Sequence, residues 1–173
     1  MSVEIVPAGP SACTVIANLM ELYLHDFTEL TDEEIELGED GRYGSGELST
    51  YWSDPDRHPF LIRSEGRLAG FVLIKLGSEI AKDLDAMDVA EFFVARGCRR
   101  RGVGREAAFA IWDRFPGRWL VRVLESNVGA ARFWGSVVAA YTAGRFEAGP
   151  IDADPPRWRV FRFESRTHVP GGV

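Results

Sequence analysis

The sequence has few of the residues that mark a disulfide-linked, metal-binding or membrane protein. Its only cysteines are Cys13 and Cys98, too few for a disulfide framework in 173 residues, which favours a reducing compartment. Its three histidines, His25, His58 and His168, lack the spacing of metal ligands. No apolar run is long enough to cross a bilayer, and the N-terminus shows no signal-peptide pattern. We therefore expect a cytoplasmic protein with no metal site and no membrane partner.

Excess positive charge is also lacking, because the chain has 20 Lys and Arg against 26 Asp and Glu, a formal net charge of −6. This balance argues against general affinity for nucleic acid. The length of 173 residues favours one domain, residues 1–173, with a sizeable core. The acidic run from Glu29 to Asp40 is most simply a solvated segment. A second interpretation is that it attracts a cationic amine.

The pattern of apolar residues predicts an α/β fold. Asp88–Val94 and Trp119–Leu124 are predicted strands, and a helix is predicted between them from Gly104. Such a unit requires parallel strands with a right-handed crossover. Further predicted strands are Ser2–Val6, Phe60–Arg63, Leu68–Leu76 and Trp158–Phe163, with helices at 11–27 and Val128–Tyr141 and a loop at Gly149–Pro156. This order predicts a mixed, twisted sheet flanked by helices.

The loop that precedes the central helix concentrates positive charge in an acidic chain. It reads Arg99-Arg100-Arg101-Gly102-Val103-Gly104, called the arginine loop below, and Arg105 follows it. Backbone N–H groups at a helix N-terminus bind anions, and glycines let the backbone come close to one. Arginines add charge-assisted hydrogen bonds. The loop therefore predicts a site for a small phosphate-bearing ligand, which is favoured over a nucleic-acid patch.

One interpretation of the two glycines is a dinucleotide site, which would make the protein an oxidoreductase. Gly102 to Ala107 matches G-x-G-x-x-A, and Glu125 lies about 20 residues on, where such folds place a ribose-binding acid. In that fold the first glycine almost abuts its strand, whereas here Ala95–Arg101 intervenes. The chain after Glu125 is also too short for the remaining parallel strands. This interpretation is therefore the less favoured one.

The stronger interpretation combines an Arg-x-x-Gly-x-Gly motif with the strand before it and the start of the next predicted helix. The residues concerned are Arg99, Gly102 and Gly104, then Phe92, Phe93 and Val94, then Asn127, Ala131, Phe133 and Trp134. With these residues the segment 85–141 resembles the GCN5-related N-acetyltransferases (GNAT). The resemblance implies the GNAT acyl-CoA N-acyltransferase fold, with acetyl-CoA as cosubstrate.

The resemblance also implies which residues hold acetyl-CoA. The strand would bind the pantetheine arm through its backbone, and the arginine loop would bind the pyrophosphate. The implied cofactor-binding residues are Phe92, Phe93, Val94, Arg99, Arg100, Arg101, Gly102, Val103, Gly104, Arg105 and Asn127. The acceptor would be a small-molecule or peptide amine, and a homodimer is left open.

Amine acetylation needs a base for the amine and a donor for the developing oxyanion. Glu91 is the candidate base, because it sits in a strand that is otherwise Met, Val, Ala and Phe, where burial would raise its pKa. The alternative is a structural glutamate, paired with Arg122 on the neighbouring strand. The resemblance places the oxyanion donor at a backbone N–H near Phe93 or Val94.

Trp134 is a departure from the family pattern, because the family's usual acid is a Tyr seven residues after the Asn. An indole N–H donates a hydrogen bond but is no practical acid. Trp134 either lines the thioester end of the groove or only packs in the core. Because Trp134 cannot act as the acid, the leaving thiolate would take its proton from water, Tyr23 or Tyr43. A non-catalytic acyl-CoA-binding module is the second alternative function.

Overall fold

The structure is a computed structural model, and it describes residues 2–30, 35–44, 46, 48–151 and 157–165. Its helices and strands are β1 (Val3–Pro7), α1 (Cys13–Phe27), α2 (Thr50–Ser53), β2 (Arg57–Ser64), β3 (Arg67–Ser78), β4 (Asp83–Val94), α3 (Val103–Arg114), β5 (Arg118–Leu124), α4 (Val128–Thr142), β6 (Glu147–Ile151) and β7 (Trp158–Glu164). His168 and the acidic residues Asp32–Glu34 lie outside the described residues.

The strands form one seven-stranded sheet in the order β1-β2-β3-β4-β5-β7-β6. Strands β4 and β5 pair in parallel, with Met87 opposite Trp119 and Val89 opposite Val121. The pairs β1–β2, β2–β3, β5–β7 and β6–β7 are antiparallel. The mixed α/β sheet and the parallel strand-helix-strand unit predicted from the sequence are therefore confirmed.

The first of two compact units consists of Met1–Lys75 and Ala90–Val103. Its core forms where α1 packs on apolar side chains of the sheet. The buried residues are Ala8, Ile16, Met20, Leu48, Tyr51, Leu61, Phe71, Leu73 and Phe93. Because Ile16 and Met20 are four residues apart, they lie on one face of α1 and bury the stripe that its periodicity predicts.

The second compact unit consists of Leu76–Val89 and Gly104–Val173. Its interior is rich in large aromatic rings around Trp112, which is fully buried. The Trp112 ring centroid lies 4.8 Å from Phe163, 5.0 Å from Tyr141 and 6.1 Å from Trp134. Helices α3 and α4 thus meet through aromatic packing. The expectation of a single domain over residues 1–173 stays a prediction.

The end of the sheet differs from the sequence prediction. The segment predicted as a loop from Gly149 begins as the last part of β6, Glu147–Ile151. Pro150 led to the loop prediction, because proline has no N–H to donate to a β-sheet hydrogen bond and is tolerated only at the edge of a sheet. β6 is such an edge strand, because among the described residues its strand partner is β7 alone. The four-residue helix α2 also escaped prediction, since it is too short to show a period.

In the part of the chain that the structure describes, every helix is too short or too polar to cross a bilayer.

Candidate active site

Glycine is required at one point of the first unit, where β3 meets the end of β4. A Cβ added at Gly70 would lie 1.9 Å from the carbonyl oxygen of Phe93 and 3.1 Å from the Cα of Val94. The Ala95 N–H also donates to the Ala69 carbonyl, at 2.8 Å. This close approach fixes the backbone of Phe93 and Val94. Gly70 was not among the predicted site residues, although an isolated glycine within a strand pattern signals a close backbone approach.

The arginine loop takes an unusual backbone path. After a 3₁₀ turn at Arg96–Cys98, Arg100 has φ of 59° and Gly102 has φ of 81°, and α3 begins at Val103. A positive φ is ordinary for glycine but costs energy in an arginine, so the surroundings must hold Arg100 in place. The loop therefore reaches the start of α3 in a strained, defined conformation, as an anion-binding loop requires.

Two of the arginines near the loop are held by one carboxylate at the end of α1. Arg99 Nη2 lies 2.6 Å from Asp26 Oδ2, and Arg96 donates to Asp26 Oδ1 through Nε at 3.0 Å and Nη2 at 2.7 Å. Arg99 Nε also donates to the Val94 carbonyl at 2.7 Å. The Arg99 guanidinium lies 5.6 Å from the centre of the Phe93 ring. Nε and Nη2 of Arg99 are thus engaged within the first unit, although the side chain is 41% exposed.

The environment of Asp26 changes the pKa of both partners. Burial of Asp26 opposes its ionisation, but hydrogen bonds from Arg99 and Arg96 outweigh this and hold the pKa of Asp26 below its usual value of 3.8. The hydrogen bond to Asp26, followed by its charge, raises the pKa of Arg96. The carboxylate is therefore ionised at neutral pH and fixes both guanidinium groups.

Arg100, Arg101 and Arg105 are exposed. Arg105 lies over the ring of Phe109, with its Cζ 5.2 Å from the ring centre. Among the described residues, no carboxylate forms an ion pair with any of the three arginines. These side chains are thus available to an anion at the start of α3.

Asn127 is the N-cap of α4 in the second unit. Its Oδ1 accepts a hydrogen bond from the Ala130 N–H at 2.9 Å. This is the usual reason for an asparagine at a helix start. The cap engages the carbonyl oxygen, so the Nδ2 hydrogens are the side-chain donors that a ligand would use.

Trp134 is buried in the aromatic interior of the second unit, with 6% of its surface exposed. Its ring packs against Trp112. This burial supports the core-packing interpretation of Trp134. Tyr141 is buried on the same helix, and its hydroxyl donates to Asp113 Oδ1 at 2.7 Å.

Glu91 is half-buried on β4, where the sequence analysis placed its candidate base. Arg122, the alternative partner of Glu91, donates through Nε to both oxygens of Asp88, at 2.9 and 3.1 Å. The Asp88 side chain is fully buried and that of Arg122 is 9% exposed. Asp88 was not among the predicted site residues, because its ion-pair partner Arg122 lies 34 residues further along the chain and no local pattern links the two.

The two tyrosines considered as acids differ in their surroundings. Tyr23 packs against Phe27, Phe71 and Phe93, at ring-centre distances of 4.8, 6.1 and 6.1 Å. The Tyr43 hydroxyl lies 3.1 Å from His25 Nδ1, and its backbone N–H donates to Glu21 Oε2 at 2.6 Å. Tyr23 is therefore the one in contact with a residue that the resemblance places at the cosubstrate.

A pocket of about 480 Å³ lies in the first unit, beside Tyr43. One wall is α1, and the other is the segment 36–44. The lining residues are Ala17, Asn18, Glu21, Glu36, Leu37, Gly38, Asp40, Arg42, Tyr43 and Gly44. Three carboxylates and one guanidinium make its lining net negative. Part of the predicted acidic run thus faces a concave surface.

Residues 16–137, more than half of the chain, match the sequence profile of the acetyltransferase (GNAT) family. The chain therefore belongs to the GNAT acetyltransferase family, and that family defines it as an acyltransferase. No curated protein matches the chain in sequence.

Solved structures with the same fold include three informative examples. An acetyltransferase from Thermus thermophilus has a TM-score of 0.67 at 19% identity, covering 95% of this chain and 97% of that chain. The ribosomal-protein-S18-alanine N-acetyltransferase from Escherichia coli has a TM-score of 0.62 at 12% identity, covering 99% of each chain. Arabidopsis thaliana NAA60, in complex with a bisubstrate analogue, has a TM-score of 0.58 at 17% identity, covering 94% and 98%. Identities this low show the fold alone.

The dinucleotide interpretation of the glycines does not fit this fold. It requires parallel strands to continue beyond β5, whereas β7 pairs with β5 in the antiparallel direction. The assignment of the glycines to an Arg-x-x-Gly-x-Gly motif stays a prediction from the sequence.

Proposed function

We propose that the protein is an N-acetyltransferase that transfers the acetyl group of acetyl-CoA directly to an amine. The observation that carries this proposal is the arginine loop. Its positive-φ backbone at Arg100 and Gly102 leads into α3, and exposed arginines flank that helix start. Coenzyme A carries a pyrophosphate and a 3′-phosphate, which suit backbone N–H groups and arginines. Membership of the GNAT family supports the same cosubstrate.

The proposed contacts with acetyl-CoA come from three segments of the chain. Backbone N–H groups of the arginine loop would bind the pyrophosphate, with the side chains of Arg100, Arg101 and Arg105 around it. Phe92, Phe93 and Val94 would hold the pantetheine arm through their backbone. Asn127 would donate from Nδ2. The Gly70 contact supports this placement, because it fixes the backbone of the β4 end.

In the proposed chemistry, Glu91 accepts the amine proton, directly or through water, while the amine nitrogen forms a bond to the acetyl carbon. The carbon–sulfur bond breaks, and the thiolate of CoA leaves and takes a proton from water or a tyrosine. A backbone N–H near Phe93 or Val94 stabilises the developing oxyanion. Positioning and the oxyanion donor then supply most of the rate.

The acceptor amine is proposed to be a small molecule or a peptide. The negative pocket beside Tyr43 supports an acceptor that arrives as a cation, since carboxylates raise the local concentration of an ammonium group. The cytoplasmic location and the homodimer stay predictions from the sequence.

Two measurements test the proposed function. Isothermal titration of the protein with acetyl-CoA and with NADH should show binding of acetyl-CoA alone. A thiol-release assay with a panel of small amines and peptide N-termini should show acetyl-CoA consumption that depends on the amine. Binding of acetyl-CoA without thiol release for any amine would favour the non-catalytic acyl-CoA-binding module. Binding of NADH and not of acetyl-CoA would overturn the proposal.

A further inference from the structure

We propose that Asp26 is a positioning residue for the arginine loop, and that the Arg99 guanidinium holds the end of β4 and does not contact phosphate. The inference rests on the proposed function, because it divides the work among the residues around that loop. It also differs from the role that the family resemblance implies for Arg99, which is direct binding of the cosubstrate. Here Arg99 contributes to binding by shaping the backbone of the loop.

The contacts of Arg99 leave its guanidinium little freedom. Nε donates to the Val94 carbonyl at 2.7 Å, Nη2 donates to Asp26 at 2.6 Å, and the planar group lies over the Phe93 ring. A guanidinium has its donors in one rigid plane. Nε and one Nη2 hydrogen are thus engaged, while the Nη1 hydrogens and the second Nη2 hydrogen belong to a side chain that is 41% exposed. Turning either engaged donor toward a phosphate would break a charge-assisted hydrogen bond. The geometry therefore assigns Arg99 to the strand end.

Asp26 uses both of its oxygens for this arrangement. Oδ1 accepts from Arg96 and Oδ2 from Arg99, and these arginines flank the 3₁₀ turn Arg96–Cys98. One carboxylate on the last turn of α1 thus fixes both ends of that turn. The Asp26 side chain is 17% exposed, whereas those of Arg99 and Arg96 are 41% and 65% exposed, so solvent screens part of the attraction. Glu29 adds a further negative charge near Arg96.

The strain at Arg100 explains why the loop needs the contacts of Asp26 with Arg96 and Arg99, which are called the Asp26 clamp below. A non-glycine residue with φ of 59° persists only where its surroundings over-determine it. Arg99, directly before it, is held at three points. The Asp26 clamp therefore sets the direction in which the loop backbone leaves β4. Arg100 and Arg101 extend from the loop beyond the Asp26 clamp, and both are exposed.

Three variants distinguish a positioning role of Arg99 from direct contact between Arg99 and a phosphate. In Arg99→Gln, the amide Nε2 is as many bonds from Cα as the arginine Nε, so it can still donate to Val94 without a charge. In Arg101→Gln, an exposed charge is removed. In Asp26→Asn, one acceptor oxygen becomes an NH₂ group that faces an arginine donor. Asp54→Asn is the matched control, because Asp54 forms an ion pair with another arginine, Arg57, in the same unit.

The first readout is the affinity for CoA as a function of salt, measured by calorimetry. We expect Arg99→Gln to keep the salt dependence of the wild type, because the lost charge contacts no phosphate, and to weaken binding by about threefold at most through the lost Asp26 contact. We expect Arg101→Gln to weaken binding by about tenfold and to flatten the salt dependence. If Arg99→Gln weakens binding as much as Arg101→Gln and flattens the salt dependence equally, Arg99 contacts the phosphate and the inference is overturned.

The second readout is amide hydrogen exchange in residues 95–103 of the protein without CoA. Asp26→Asn should speed this exchange by about tenfold or more, since the loop loses its anchor, while Asp54→Asn should not. Unchanged exchange in a folded Asp26→Asn variant would overturn the positioning role. Because this readout needs no ligand, it decides the role of Asp26 even if the wild-type protein fails to bind CoA, a result that would refute only the proposed function. If Asp26→Asn does not fold, the comparison of Arg99→Gln with Arg101→Gln decides alone.

Discussion

The arginine loop and the aromatic interior of the second unit both contain residues that stand out in the sequence, but they are built in opposite ways. The loop keeps Arg100 and Arg101 exposed on a strained backbone that neighbouring contacts hold. The interior buries Trp134 against Trp112 and neutralises Asp88 with Arg122. Changes in the first region should therefore alter binding and chemistry with little loss of stability. Changes in the second should alter stability first.

The strongest loss of ligand binding is expected from filling the loop. Gly104 is the second residue of α3 and has no positive φ, so Gly104→Val would place a side chain at the proposed phosphate site without the strain of a positive φ. Acetyl-CoA affinity should fall by more than about 100-fold, which is about 2.8 kcal/mol. Gly97→Val is the control, because a Cβ at Gly97 meets nothing within 4 Å. Calorimetry on folded variants would disprove the assignment if Gly104→Val bound acetyl-CoA like the wild type.

In the interior, breaking the buried ion pair should cost stability. Arg122→Met leaves the fully buried Asp88 without its guanidinium, and the free energy of unfolding should fall by about 3–5 kcal/mol. The control is Arg118→Ala, which breaks an ion pair with Asp83 in which Arg118 is 54% exposed, and it should cost about 1 kcal/mol or less. Denaturant unfolding measures both. Equal losses would mean that burial does not distinguish the two pairs.

A change at the candidate base should act on rate alone. Glu91→Gln keeps the shape of the side chain but removes its proton acceptor, so kcat should fall by roughly 10²-fold with little change in acetyl-CoA affinity. The acidic limb of the pH–rate profile should flatten as well. The exposed strand glutamate Glu4 gives the control, Glu4→Gln. A loss of melting temperature with full activity would show that Glu91 is structural.

The smallest effect is expected at Trp134. If this ring only packs, Trp134→Tyr should lower the free energy of unfolding by about 1–2 kcal/mol and leave kcat unchanged. If it lines the thioester end of the groove, the tyrosine hydroxyl, with a pKa near 10, would supply an acid and raise kcat. Steady-state kinetics and thermal unfolding of this variant decide between the two. The burial of Trp134 favours the first result.

Features with a local signal were predictable from the sequence, and features that join distant segments were not. The strand, loop and helix around Gly102 follow from periodicity and glycine placement, and Asn127 is a helix cap of a common type. Asp26 lies 70 residues from Arg96, and only the folded chain brings them together. The pairing of Asp88 with Arg122 depends in the same way on which strands become neighbours.

A crystal structure of the protein with bound CoA would locate the phosphates of the cosubstrate. We expect the CoA pyrophosphate on the backbone N–H groups of the arginine loop, at the start of α3, with Arg101 close to a phosphate oxygen. A pyrophosphate bound elsewhere on the chain, with the backbone N–H groups from Arg100 to Gly104 free of contact with the ligand, would overturn the proposed site.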